Sequence, residues 1–371
     1  LEIQLKLKNR HGVQRTLTIQ VNEQTIDWQK WLSLEIKDPA LFRDNLLEQK
    51  MYSKRFDTFV NGIYSVTDGF SNYKNEKKYG GYIAAGHQRL NDVLNLMSLQ
   101  YSAGGSLEFL KEIYPYLLHW TEEYAEASHL YNLSPDADGR FVWHISLGTE
   151  DYWYIALRLI CFGLLTGYAD QMDRIMPIID YVEATPEGQE KDGLIERLVA
   201  PFVADRGTPP DEARRHLPYR KLINVFNASP EQRPALMLQY LEDWYEASRR
   251  EPYYDQHPQT DLRSGRGYYG YWSWEAAAVT WLLDIDDTSY REHQFYPKDL
   301  VDFARTQSKV VLDDQQLERM KVKGGEACIK TGYWRTTAQP DSRQYFKQGE
   351  IVPALIELDW GEVYWYWNGE K

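Results

Sequence analysis

The chain of 371 residues is longer than most single domains, and its composition of 43% hydrophobic and 26% charged residues is that of a folded globular protein. Its formal net charge of −13 repels nucleic acid and anionic lipid, so direct binding to DNA or to a membrane surface is not expected. The longest apolar run, residues 155–165, contains Arg158 and is too short to predict a transmembrane helix. Two cysteines are too few for a disulfide scaffold and favour a reducing, cytoplasmic location.

The first residues predict a short β-hairpin followed by helices. Apolar and polar residues alternate from 3 to 21 around a turn-like stretch at 9–12. Helical spacing begins between Trp28 and Leu47, and an amphipathic helix is predicted from Asp44 until Thr67-Asp68-Gly69 breaks it. We assign residues 1–26 to a β-hairpin extension and 27–203 to an N-terminal helical domain.

Three patterns support helices within residues 27–203. Leu90, Leu94, Met97 and Tyr101 follow the helical period up to Gly104-Gly105, and Ser106 then opens a helix that continues past Pro115. The most regular stripe lies at offsets of three and four residues and predicts a buried helix. Its members are Trp153, Ala156, Leu157, Ile160, Cys161, Leu164 and Leu165.

The second half of the chain begins with a polar stretch, residues 204–218, that we take as a boundary or a long surface loop. Ser229-Pro230-Glu231-Gln232 is a capping signature for a helix through Arg250. Helical spacing returns over 274–285 and 296–306, whereas 326–371 is rich in Gly, Thr, Trp and Tyr and predicts short strands. The expected fold is mainly α: a helical two-domain body (27–203 and 204–323) with the N-terminal hairpin and a small C-terminal β-rich module (324–371).

Signatures of catalysis are scarce. The sequence contains no phosphate-binding loop and no nucleophile elbow, and its eight histidines are scattered, so we expect no metal and no cofactor. One exception is Asp284-Ile285-Asp286-Asp287-Thr288, which matches the DxDxT pattern of Mg²⁺-dependent haloacid dehalogenase-type phosphatases. In that fold the motif ends a parallel strand, whereas the preceding stripe here is helical. A helix end followed by a solvated turn is the simpler interpretation.

The same acids lie among aromatic residues, a composition typical of protein-binding surfaces. From Glu275 to Asp302 the chain has seven acids and two basic residues. Burial of individual aromatic residues in the core is the alternative. The predicted partner-binding residues are the acids Asp284, Asp286, Asp287 and Glu292 and the aromatic residues Tyr268, Tyr269, Tyr271, Trp272 and Tyr290.

Residues 267–278, continuing through 283–287 to 296–301, resemble the signature of PoNi-type immunity proteins. Residues 52–69 and 80–101 are similar to the opening of the N-terminal domain of that family, and 328–350 resemble a C-terminal module of secretion-linked immunity proteins. The resemblance implies a helical protein that neutralises a polymorphic toxin, typically a DNase delivered by a type VI secretion system. It supplies no catalytic residues.

The favoured hypothesis is therefore an immunity protein, not an enzyme, that binds a basic nuclease stoichiometrically. Its acids would either fill the active-site groove in place of DNA phosphates or clamp a distal surface. Two alternatives stay open: a phosphatase that uses Asp284 and Asp286, and an adaptor that binds a peptide or glycan through residues 326–371. The sequence does not set the oligomeric state, and a homodimer is one alternative.

Overall fold

The computed structural model describes residues 2–8, 14–20, 26–76, 79–137, 142, 144–181, 189–204, 206–257, 267–312, 321–336, 343–354 and 363–367. In these ranges the chain forms eleven α-helices and six β-strands, so the mainly helical fold expected from the sequence is confirmed. The chain divides into two compact units, each discontinuous in sequence. The first unit comprises Leu1–Leu159 and Ser248–Trp272, and the second comprises Ile160–Ala247 and Ser273–Lys371. The domain bounds given above stay a prediction.

The first unit begins with an antiparallel hairpin and continues with long helices. Strands β1 and β2 pair with Leu5 opposite Leu17, which confirms the hairpin, while its expected turn at 9–12 lies outside the described residues. The elements of this unit are β1 (Glu2–Lys8), β2 (Gln14–Gln20), α1 (Trp28–Ser33), α2 (Gln49–Glu76), α3 (Tyr79–Ser102), α4 (Leu107–Leu133) and the first part of α5 (Glu150–Leu165).

Helix α3 packs against both α2 and α4 and is the centre of the first unit. Leu90, Leu94, Met97 and Tyr101 are each at most 1% exposed, as their helical spacing predicted. The helix ends before Gly104, whose φ of +78° is the left-handed conformation that glycine tolerates best. Ser106 then precedes α4, as expected.

Two expected helices have different bounds. The stretch from Trp28 to Leu47 contains only α1, which ends at Ser33, and a short 3₁₀ turn at Pro39–Leu41. Pro39 disfavours helical backbone at Asp38, whose side chain accepts a hydrogen bond from the backbone N–H of Ala40. Helix α2 begins at Gln49 and not at Asp44, and it does not stop at Gly69 but continues to Glu76. A single helical glycine costs only about 1 kcal/mol, which is too little to end a helix of this length.

The second unit contains the remaining helices and a C-terminal sheet. Every member of the stripe from Trp153 to Leu165 in α5 is 0% exposed, which confirms the predicted buried helix. The helix predicted through Arg250 ends at Ala247, where a turn follows in which the Glu251 N–H donates to the Ser248 carbonyl. The further helices are α6 (Met172–Asp180), α7 (Gly193–Val199), α8 (Arg220–Asn227), α9 (Arg233–Ala247), α10 (Trp274–Leu282) and α11 (Lys298–Thr306).

The C-terminal module is a four-stranded antiparallel sheet with the order β3-β6-β4-β5. Trp334 and Trp365 are both 0% exposed and form its core with Val322, Phe346 and Val352. Trp334 and Trp365 are therefore packing residues, and the expected β-rich module is confirmed. The strands are β3 (Lys321–Lys323), β4 (Gly332–Thr336), β5 (Gln344–Phe346) and β6 (Tyr364–Trp367).

Candidate partner-binding surface

The aromatic residues of the predicted surface are buried. Within the first unit, Tyr268, Tyr269, Tyr271 and Trp272 are between 3% and 8% exposed. The Tyr268 hydroxyl donates to the buried Asp44 carboxylate, and the Trp272 indole N–H donates to Ser102 Oγ at 2.8 Å. These four side chains stabilise the first unit and do not offer an exposed docking face.

Two glycines explain why this segment packs so closely. A Cβ atom at Gly267 would lie 1.9 Å from Cζ of Arg55, and one at Gly270 would lie 2.0 Å from Ser102 Oγ. Gly270 also has a φ of +106°, which L residues rarely adopt. The glycines of the family-like signature are therefore required by close contact inside the first unit.

The acidic residues lie in the second unit, in the turns that connect α10 to α11. Helix α10 ends at Leu282, and Asp284 follows with a φ of +50°, a conformation that Asp tolerates better than most residues. The Lys309 ammonium donates to the carbonyls of Trp281 and Leu282, both at 2.8 Å, and lies 3.1 Å from Asp284 Oδ1. Lys309 therefore caps the negative end of α10, and the Asp284 side chain remains 85% exposed beside it.

Asp286 and Asp287 are neighbours with opposite environments. Asp286 is exposed, and hydrogen bonds from the Thr288 hydroxyl and backbone N–H hold the pKa of its carboxyl below the usual value. Asp287 is 6% exposed and accepts hydrogen bonds from Tyr296 at 3.0 Å and from the guanidinium groups of Arg291 and Arg305, both at 3.2 Å. Asp286 can therefore meet a partner as an anion, whereas Asp287 holds the turn together.

Of the last two predicted residues, Tyr290 is buried and Glu292 is exposed. Tyr290 is 1% exposed and hydrogen-bonds to Thr280 at 2.9 Å, and burial raises the pKa of its phenol. The Glu292 side chain is 77% exposed and forms a surface ion pair with Lys298. Exposed ion pairs of this kind contribute about 0–1 kcal/mol, so Lys298 would release Glu292 to a partner at little cost.

The structure thus leaves three of the nine predicted residues on the surface, Asp284, Asp286 and Glu292, which we call the acidic turn. Its chemistry is that of an anionic docking surface that can meet Lys and Arg side chains. Among the described residues, the DxDxT motif follows helix α10 and not a parallel strand, which differs from its place in haloacid dehalogenase-type phosphatases. No group of three or more potential metal ligands occurs in the part of the chain that the structure describes.

Sequence reasoning missed the buried carboxylate of Glu275, which is 1% exposed in the second unit. Its Oε1 accepts hydrogen bonds from Tyr240 at 2.7 Å, Trp244 at 2.6 Å and Ser273 at 2.8 Å. Burial nevertheless raises the pKa of this carboxyl. The position of Glu275 inside an otherwise apolar stripe is a signal that could have identified it as a buried acid.

The fold is mainly helical, and the acidic turn exposes three carboxylates on the second unit. Two family models match the chain: the N-terminal model of PoNe immunity proteins (PoNi) matches residues 43–176, and the C-terminal PoNi model matches residues 190–300. The chain therefore belongs to the PoNi family of immunity proteins, as the signature residues implied. The acidic turn lies within the residues matched by the C-terminal model.

Other comparisons concern the fold. The chain is similar to the crystal structure of protein PA2201 from Pseudomonas aeruginosa, with a TM-score of 0.58 and 20% sequence identity over 76% of this chain and 98% of that one. At this identity the likeness shows a shared fold and nothing further. None of the curated proteins matches the chain. Across the described ranges, no helix is both long and apolar enough to cross a membrane.

Proposed function

We propose that this protein binds a PoNe-type nuclease toxin in a stoichiometric complex and thereby protects the cell that makes it. The observation that carries the proposal is the match of both PoNi models along one chain. Immunity proteins act by binding rather than by turnover, so we assign the protein no catalytic residue. The toxin is proposed to be a DNase delivered by type VI secretion, and its chromosomal substrate places the protective complex in the cytoplasm.

The charge distribution supports a nuclease as the partner. Enzymes that act on DNA carry basic surfaces, because their substrate is a polyanion. A protein with a net charge of −13 is steered towards such a surface, and complementary charge raises the association rate most strongly at low salt. The acidic turn provides three exposed carboxylates for this contact, two of which already bind the ammonium groups of Lys309 and Lys298.

The acidic turn also supports one mode of inhibition. A carboxylate that replaces a DNA phosphate must be ionised and accessible, and Asp286 satisfies both conditions. We therefore propose that the acidic turn occupies the DNA-binding groove of the toxin. The buried Asp287, Tyr290 and Tyr296 support the turn from behind.

The experiment is a titration of the purified protein into the nuclease encoded beside it, with DNA cleavage followed by gel and the mass of the complex measured by light scattering. We expect cleavage to stop at a fixed molar ratio that matches the mass of the complex, which would also give the oligomeric state. Unchanged cleavage with no complex would contradict the proposal.

A further inference from the structure

A polar cavity of about 190 Å³ lies within the first unit. One wall is formed by Gln88, Asn91 and Asn95 of α3, and a second by Asp151, Tyr154 and Arg158 of α5. Both sets have the spacing i, i+3, i+7, so each helix presents one continuous face to the cavity. Pro252, Gly267 and Tyr269 complete the lining.

Arg158 is the unusual member of this lining. It is 2% exposed, and its guanidinium lies between two aromatic rings, with Cζ 4.4 Å from the ring centroid of Tyr154 and 5.5 Å from that of Tyr269. Its Nη1 donates to Asn95 Oδ1 at 2.7 Å, while its buried Nε–H has no acceptor. Within the described residues, no carboxylate forms an ion pair with Arg158.

Two other buried arginines have the carboxylate partner that Arg158 lacks in the described part of the chain. Arg89, which is 1% exposed, lies 2.6 Å from Glu123 Oε2, and Arg206, which is 7% exposed, binds both Asp180 and Glu196. A buried charge without a counterion costs several kcal/mol, and two cation–π contacts return only part of that. Within the described residues, the guanidinium of Arg158 therefore lacks the counterion that Arg89 and Arg206 have.

We infer that this cavity binds one carboxylate group from outside the chain, with Arg158 as its principal ligand. The guanidinium offers paired N–H donors that match the two oxygens of a carboxylate. The Gln88 amide, one N–H of which already donates to Asp92, has a second N–H to offer. The cavity has room for an Asp-sized or Glu-sized group but not for a nucleotide. Asp151 adds a negative charge to the lining, which disfavours doubly charged anions such as phosphate monoesters.

The carboxylate has two sources, a free small acid or an acidic side chain of a bound protein. The first arm of the test uses N-acetylglutamate as the probe and N-acetylglutamine as its uncharged match. The readout is the Nε–H resonance of Arg158 in protein with ¹⁵N-labelled arginine, assigned by its loss in Arg158→Lys. The Nε–H of Arg89 is an internal control, because Arg89 is also buried but its guanidinium already binds the Glu123 carboxylate.

We expect N-acetylglutamate to shift the Arg158 resonance saturably and to leave Arg89 unchanged, and N-acetylglutamine to shift neither. Asp151→Asn should tighten binding of N-acetylglutamate about two- to fivefold. The substitution removes an exposed negative charge that repels the probe and leaves the buried arginine unchanged. Arg158→Lys should weaken it at least about tenfold, because the ammonium lacks the planar fork.

The second arm distinguishes the source and rests on the proposed function. If the Arg158 resonance shifts in the complex with the nuclease but does not shift with N-acetylglutamate, the carboxylate comes from the bound protein. If the nuclease does not bind, the proposed function fails, and the first arm alone then shows whether the cavity binds a carboxylate. An Arg158 resonance that moves in neither arm, or that moves equally with N-acetylglutamine, would overturn the inference.

Discussion

Two segments that lie close together in the sequence have opposite roles in this protein. Residues 267–272 are aromatic and buried within the first unit, where Gly267 and Gly270 permit contacts that no other residue could make. The acidic turn is exposed in the second unit and rests on a buried network around Asp287. Aromatic residues beside acids suggest a binding face in the sequence, but in the structure the aromatic residues stabilise the fold and only the acids are available for binding.

We expect the largest loss of stability from a substitution in residues 267–272, at the point where this segment is closest to its neighbours. Gly270→Ala places a methyl group 2.0 Å from Ser102 Oγ and 2.5 Å from the Trp272 indole nitrogen, which donates to that hydroxyl. We expect a loss of roughly 4 kcal/mol in the free energy of unfolding, from backbone strain, steric overlap and the broken hydrogen bond. Urea unfolding followed by circular dichroism measures it.

The matched control is Gly207→Ala, because Gly207 also has a positive φ, +69°, but a Cβ atom there meets nothing within 4 Å. Gly207→Ala should lower the free energy of unfolding by only about 1 kcal/mol. Equal losses for the two variants would mean that backbone strain, and not close packing of residues 267–272, limits this segment.

A buried acid of the first unit should affect stability in a way that the exposed acids cannot. Asp92 is 5% exposed, and burial raises the pKa of its carboxyl to about 7, against only one opposing hydrogen bond, from Gln88. Because the folded state holds this proton more tightly than the unfolded state, stability falls as pH rises from about 4 to about 7. Asp92→Asn should remove that fall and stabilise the protein at pH 8 by on the order of 2–4 kcal/mol.

Thermal unfolding of Asp92→Asn and of the native protein at pH 5 and pH 8 provides the check. The exposed Asp68 serves as the control position, and Asp68→Asn should leave the pH profile unchanged. A native profile that is flat between pH 5 and pH 8 would contradict the role of Asp92.

Asp287 tests whether the acidic turn depends on its buried support. Asp287→Asn leaves the guanidinium groups of Arg291 and Arg305 without this buried anion, although both retain Asp302. We expect a loss of about 2 kcal/mol in the free energy of unfolding, compared with about 0.5 kcal/mol for Asp284→Asn, whose side chain is 85% exposed. Urea unfolding of the two variants in parallel gives the difference, and a reversed order would show that the turn does not depend on Asp287.

The sequence predicts most of the fold, because helical periodicity reports burial directly. The stripe from Trp153 to Leu165 and the face from Leu90 to Tyr101 are buried as expected. The errors are at ends: the helix that begins at Trp28 ends at Ser33, and Gly69 does not end α2. Helix ends are harder to predict, because a single breaker such as Gly69 costs only about 1 kcal/mol and a long helix can absorb it.

The candidate site is less predictable for the same reason. Neither spacing nor composition distinguishes Asp286, which is exposed, from Asp287, which binds Arg291 and Arg305. Arg158 interrupts the apolar run 155–165, and its position beside a cavity depends on α3 and on Pro252, Gly267 and Tyr269, which are far away in the sequence. The family, in contrast, could be recognised from residues 267–278. Close packing at Gly267 and Gly270 requires these residue types, so the pattern is distinctive.

The most direct test of the account measures how tightly the nuclease binds when the acidic turn is neutralised. The variant combines Asp284→Asn, Asp286→Asn and Glu292→Gln, and the control combines Asp57→Asn, Asp68→Asn and Glu326→Gln, three exposed acids elsewhere with the same change in net charge. At low salt we expect the acidic-turn variant to bind the nuclease about tenfold more weakly and with a smaller salt dependence, and the control to stay within about twofold of the native protein. Equal affinities for the two variants would contradict the claim that the acidic turn is the surface that binds the toxin.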